Sequence, residues 1–303
     1  VDQVNSTSGI NTTSNTSLTT KAGDLTLKKA INGNTGTVNL DAAAAVIRDA
    51  SLTTDNIIAN TLNIKAGSNI GNSAIRIKTK VTNLSMDSTG NQYVTEADAV
   101  TVSAHATTGN IEIETTNGTL TVGNPNGVTG ITADNGNISL TGTNAGTTGH
   151  GIDIAQAITA EQGTVTLNGK TNSISTRAGI FNSSTVKGAD IDLIAESTNN
   201  SSTALGYYGA GGSLQASNTL KIKGITNSSS TSNADGVYAW ANNDPAKPAM
   251  SAGGNIFIEG ASNNSAFGLD NGAIVKSTNG NVSITATKGD INAGSGNNKI
   301  EAT

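Results

Sequence analysis

The chain has 303 residues, no cysteine, three prolines, 36 glycines and a net charge of −5; only 13% of residues are charged and 3% aromatic. With no basic cluster, nucleic acid and anionic membrane surfaces are excluded as natural partners, and with no apolar run of spanning length, insertion into a membrane is not expected. Low charge with few aromatics is compatible with disorder, but 35% of residues are apolar and fall in short alternating runs, which predicts ordered β-structure.

From the start of the chain the runs come in threes. Gly9-Ile10, Leu18 and Leu25-Thr26-Leu27 read as three short strands separated by polar corners. Asp41–Ala45 is the one short stretch with a helical period. From residue 136 onward one unit recurs, a Gly or Asn corner followed by apolar–polar–apolar: Ile138-Ser139-Leu140, Val165-Thr166-Leu167, Ile191-Asp192-Leu193, Leu220-Lys221-Ile222, Ile256-Phe257-Ile258 and Val282-Ser283-Ile284. Their first positions are 27, 26, 29, 36 and 26 residues apart. Period two gives half-buried strands, and a repeat near 27 residues gives a solenoid.

Two further strands fit in each repeat. The second follows a glycine (Gly151-Ile152, Gly179-Ile180, Gly206-Tyr207, Gly236-Val237, Gly268-Leu269), and the third centres on Ile158, Val186, Leu214, Met250 and Val275. Three strands per turn with Gly, Asn and Ser corners predict an all-β fold, a right-handed, three-sided parallel β-helix of about 25–29 residues per turn. Stacked Asn and Thr at the corners would bond from turn to turn. Eleven to twelve turns at ~4.8 Å would make a rod on the order of 55 Å long. The whole chain, 1–303, reads as one continuous segment. It begins partway through a turn and shows no capping sequence at either end, so a fragment of a longer array is expected.

More specific phrases lie between Gly36 and Val122: GTVNLDA (36–42), ANTLNIKAGSNIG (59–71), TKVTNLSMDSTGNQYVTEADAVTV (79–102) and TTNGTLTV (115–122), followed by GNISLTGTNAGTTGHGIDIAQAITAEQG (136–163). This series resembles the repeat region of filamentous-haemagglutinin-like two-partner-secretion exoproteins, the giant adhesins and biofilm-matrix proteins of bacteria. Residues 36–135 resemble a module of that family, and 136–303 resemble the regular repeats after it. The resemblance implies export through an outer-membrane transporter barrel, folding outside the cell, and adhesion or matrix scaffolding. Asn124-Pro125-Asn126-Gly127-Val128 resembles one of the family's paired secretion motifs, but its partner motif is missing, and a corner turn is expected. Two rival roles stay open: the stem of a contact-dependent inhibition toxin, and a carbohydrate-active β-helix enzyme.

Catalysis is not expected. Gly149-His150-Gly151 and Arg76-Ile77-Lys78 resemble two polygalacturonase motifs, but in reversed order and without the aspartate motifs that carry the chemistry. Asp190 and Asp192 share a strand side, with Thr166 and Lys221 rather than acids on the neighbouring turns, whereas glycoside hydrolysis needs two carboxylates across one bond. His105 and His150 lie far apart, so neither a metal nor a cofactor is expected. The candidate surface is aromatic. Asp153, Phe181, Tyr208, Tyr238 and Asp270 form an outward ladder on the second strands, with Trp240 two residues beyond Tyr238 and a long insertion, Asn242–Pro248, beside them (within 241–250). One reading is a flat strip that packs against sugar rings of a polysaccharide or of a host or neighbouring cell surface. The other is that the insertion folds back over the rings as a satellite core.

Overall fold

The computed structural model describes residues 3–4, 7–127, 129–174, 177–200, 203–228, 234–241, 247–294 and 297–303. The chain is an all-β parallel solenoid of about ten turns. No α-helix occurs among the described residues; Asp41–Ala45 is strand and bend, and a single 3-10 turn spans Pro125–Gly127.

Three parallel ladders run along the stack. The first carries Leu25, Val46, Ile70, Gln92, Ile111, Ile138, Val165, Ile191, Leu220, Ile256 and Val282, each paired with the next. The third carries Ile131, Ile158, Val186, Leu214, Met250 and Val275. Both follow the repeat read from the sequence residue by residue. The second runs Leu120, Ile152, Ile180, Tyr207, Val237 and then Phe267, not Leu269. Inward side chains of all three merge into one apolar cluster from Leu27 to Val275. Because successive turns touch only their neighbours, each turn's core is completed by the turns above and below it.

Register is pinned at one corner. Where the residue preceding a first strand is Asn or Asp, it offers its side-chain oxygen to the backbone N–H one turn on: Asn69 to Asn91, Asn91 to Asn110, Asn110 to Asn137 and Asn137 to Thr164, each at 2.8 Å. Asp190 to Thr219 (3.0 Å) and Asn255 to Asn281 (2.9 Å) continue the pattern. Each bond satisfies a corner amide that no sheet partner reaches.

The turns are not uniform. Corner partners lie 21, 22 and 19 residues apart at Asp24–Ala45, Asn69–Asn91 and Asn91–Asn110, against 27, 27, 29 and 26 from Asn110 onward. The expected 25–29 residues per turn therefore describe only the later half. There the extra residues lie beyond a pinch. Gly142, Gly169, Ala195, Gly224 and Gly260 stack at the end of the first strand, against the glycines that open the second. A Cβ on Gly169 would sit 2.2 Å from the Gly179 carbonyl oxygen, and one on Gly224 would sit 2.0 Å from that of Gly236. Outside the pinch the chain builds a ridge on small side chains: Asn144, Thr171, Ser197 and Thr226 stack and are buried.

In the earlier half, the same corner holds Thr79, Glu96 and Thr115, all buried. Glu96 accepts the Thr79 hydroxyl at 2.6 Å and the N–H groups of Val81 (3.1 Å) and Ala97 (3.0 Å). Burial pushes its carboxyl up to about 8 against the pull of these donors. Asn124–Gly127 lies between a second and a third strand, as a corner turn should, with a 3-10 turn over Pro125–Gly127. It belongs to an outward excursion between two strands that both pair with Val100–Ala106, where Asn126 (φ 57) donates to Asn63 at 2.7 Å, across several turns.

Candidate ligand-binding surface

The second strands of the later half alternate inward Ile152, Ile180, Tyr207 and Val237 with outward Asp153, Phe181, Tyr208 and Tyr238, and the outward residues pair in that order. Tyr207, read in the sequence as the start of a second strand, points into the core at 1% exposure. Its hydroxyl accepts the Asn182 amide at 3.2 Å.

Asp270 is not the next rung. Tyr238 pairs with Gly268, and Asp270 pairs with Trp240, which stands above Ala210. The sequence placed Leu269 over Val237 because Gly268-Leu269 mimics the glycine–apolar start of earlier second strands; Phe267 occupies that rung at 0% exposure. Asp270 still joins the surface, because the Tyr238 hydroxyl donates to it at 3.2 Å. Burial, then the Asp270 charge, pushes the Tyr238 phenol up to about 12, so it stays a neutral donor.

The rings form a column. Centroids of Phe181 and Tyr208 are 5.4 Å apart at 71°, and those of Tyr208 and Tyr238 are 5.5 Å apart at 38°. His150, set aside in the sequence as an isolated histidine, begins the column: its ring stacks on Phe181 at 4.7 Å and 23°. Such pairs stabilise beyond their buried area. The rings are half-buried and mutually tilted rather than coplanar, so the surface they present is a stepped column and not a flat strip. His150 Nδ1 accepts the Ala178 N–H at 3.0 Å. Burial, helped by the nearby Arg177 guanidinium, lowers its pKa to about 4 and keeps the ring neutral. Burial also raises the Asp153 carboxyl, which Arg177 partly offsets. Within the insertion, Asn242–Ala246 lie outside the described residues; Lys247 is exposed and Ala249 and Met250 are buried.

Where the column ends, a cavity of about 490 Å³ opens, lined by Tyr238, Gly268, Asp235, Asp270, Asp290 and Asn264 among others. Sequence reading missed it. The signal was present: with Phe267 under the right rung, Gly268 stands where three preceding turns carry Phe, Tyr and Tyr, and Asp235 and Asp290 lie on one ladder through Ser265. Burial raises the Asp235 carboxyl to about 6, against hydrogen bonds from Ser265 and Asn264.

The other residues weighed for chemistry serve the rod. Arg76 ties three turns together through Glu112 and Thr95 (3.0 Å). His105 bridges Asp87 (3.0 Å) and Asp134 (3.1 Å) across turns. Asp190 sits in the corner ladder, and Asp192 stands exposed between Thr166 and Lys221, as the register predicts. Among the described residues, no group of three or more His, Cys, Asp or Glu is placed to hold a metal ion, and no helix is long and apolar enough to cross a membrane. Compared with protein-family models, with curated proteins and with solved structures, the chain matches none.

Proposed function

We propose that the chain is a structural and adhesive rod of a large secreted bacterial adhesin of the filamentous-haemagglutinin kind. In this reading it is exported through an outer-membrane transporter barrel and attaches cells to one another, to surfaces or to matrix polysaccharide. The observation that carries the reading is continuity: one apolar core persists through about ten turns, while surface chemistry varies from turn to turn. An axial stack with no break in its core suits holding two places apart, and its second face presents Phe181, Tyr208, Tyr238 and Trp240 with Asp153 and Asp270 at the rim. The resemblance of the phrases between Gly36 and Val122 to that family supports this reading and, with it, an extracellular location. In this role the surface binds glycan without cleaving it.

Displaying the 303-residue chain on a non-adherent bacterium tests the proposal. Attachment to polysaccharide-coated glass should rise severalfold, and no new reducing ends should be released. Unchanged attachment would overturn the adhesive role, and reducing ends lost on Asp235→Asn would replace it with an enzyme.

A further inference from the structure

The ring column ends at Tyr238 because Gly268 brings no side chain to the following rung. A Cβ there would lie 2.9 Å from Tyr238 Cδ2, so the ring takes up the space that a side chain at 268 would fill. Upstream rings are sandwiched between neighbours, but Tyr238 forms one wall of the cavity of about 490 Å³. That volume is in the range of small-ligand sites, roughly 300–1,000 Å³. The remaining walls are polar: Asp235 on the ridge side, Asp270 from the turn above, Asp290 one turn further, and the side-chain amides of Asn264 and Asn292. Among the described residues, no lysine or arginine lines the cavity.

Each part of this lining selects for something. An aromatic wall takes the C–H face of a pyranose or the face of an organic cation. Carboxylates and amides close together bond hydroxyls from several directions, a density that an apolar peptide side chain would leave unpaired. Three carboxylates with no basic counterpart favour a ligand that brings positive charge. Asp270 is held by the Tyr238 hydroxyl at 3.2 Å and by the Asn271 N–H at 2.7 Å, so its position is set before a ligand arrives.

We propose that this cavity binds a cationic amino-sugar unit of a polysaccharide, with the sugar's C–H face on the Tyr238 ring and its ammonium among Asp235, Asp270 and Asp290. The inference rests on the adhesive reading above and narrows it from glycans in general to those with free amino groups. The outward side of the rod leaves the polymer free to continue past the cavity in either direction, so a single unit can be gripped within a long chain.

Calorimetry on the 303-residue chain tests it with three probes: a β-1,4-linked glucosamine hexamer, its fully N-acetylated counterpart, and hexalysine. The glucosamine hexamer should bind at least tenfold more tightly than the other two, and more weakly at 1 M salt than at 0.15 M. Asp270→Asn and Asp290→Asn should each weaken it fivefold or more without shifting the melting temperature. Equal binding of both hexasaccharides, indifference to both substitutions in folded protein, or hexalysine binding as tightly as the sugar would each overturn the inference. If no glucosamine binds while the displayed chain still attaches cells to other glycans, the inference fails and the adhesive reading stands. Tight glucosamine binding by a chain that mediates no attachment would reverse that outcome.

Discussion

The turns before Asn110 and those after it share one core and one kind of corner link, and differ in what they build outside. Both halves place the same kind of inward aliphatics on the first ladder, Ile70 at 0% and Ile191 at 1% exposure. Yet the corner step grows from 19 residues at Asn91–Asn110 to 29 at Asp190–Thr219. The added residues do not enlarge the core; they pass the glycine pinch and build a ridge, an aromatic column and a cavity. Ion-pair staples between turns serve both halves, Arg76–Glu112 and His105–Asp134 across their boundary and Lys170–Glu196 and Lys223–Glu259 later, whereas the aromatic column and the cavity at its end lie in the later half. A solenoid gains surface function by lengthening loops beyond a constant core, the division of labour between scaffold and loop seen in other folds.

The largest expected effect breaks the shared part. Ile70→Asp and Ile191→Asp each bury an unpaired charge and should destabilise by more than about 4 kcal/mol, while Asp192→Ala, trimming an exposed side chain, should stay within about 0.5 kcal/mol. Chemical denaturation of the three variants checks this. A large loss at Asp192, or a small one at either isoleucine, would mean that inside and outside are exchanged along the strand.

The pinch comes next, and it distinguishes the halves. Gly169→Ala and Gly224→Ala force a methyl toward a carbonyl oxygen, at 2.2 and 2.0 Å before relaxation. Overpacking of this kind destabilises by roughly 1–3 kcal/mol. Ala195 shows that one rung accommodates the methyl, which places the effect toward the lower end. Gly146, in the ridge loop and with no neighbour closer than 3.0 Å, should tolerate alanine with less loss. Melting temperatures of the three variants rank them.

Acid and base should act oppositely on the two halves. Glu96 binds its proton more tightly folded than unfolded. Its contribution therefore favours the folded state below about 4.5 and is lost as pH rises toward about 8, by an amount on the order of a few kcal/mol. His150 binds its proton less tightly when folded, so stability falls as pH drops from 6.5 toward about 4. Glu96→Gln should flatten the alkaline decline and His150→Phe the acid one, in unfolding curves taken at pH 5, 7 and 9. A decline unchanged in either variant would assign that pH dependence to other groups.

The smallest expected effect lies in the corner ladder. Asn110→Ala leaves the Asn137 N–H without its 2.8 Å partner at a half-exposed corner, where water can replace part of the bond. A loss of about 1 kcal/mol is expected.

How much of this was legible follows from where side chains repeat. First and third strands in the later half were readable because Ile, Val and Leu recur there at a steady period, and Ile10, Leu18 and Leu25–Leu27 at the start of the chain lie on three short strands as read. The turns around residues 92–96 were not readable, because Gln92 and Glu96 stand inward at positions where a sequence pattern expects apolar residues, and Gln92 is buried with only part of its amide bonded. The outward order Asp153, Phe181, Tyr208 and Tyr238 was legible from alternation alone. Its last rung slipped by two residues because Gly268-Leu269 and Gly236-Val237 look alike, and that slip hid the cavity. Nor could spacing show how the rings tilt: a step of one turn permits a strip or a column, and packing against neighbours chooses the column.

Hydrogen–deuterium exchange of the full chain, with and without the glucosamine hexamer, tests the division into scaffold and binding surface most directly. Core strands of both halves should be protected alike without ligand. On adding the hexamer, new protection should appear only at residues 235–240, 264–270 and 290–294. Protection spread over the turns before Asn110, or none in the later turns while the sugar is bound, would contradict it.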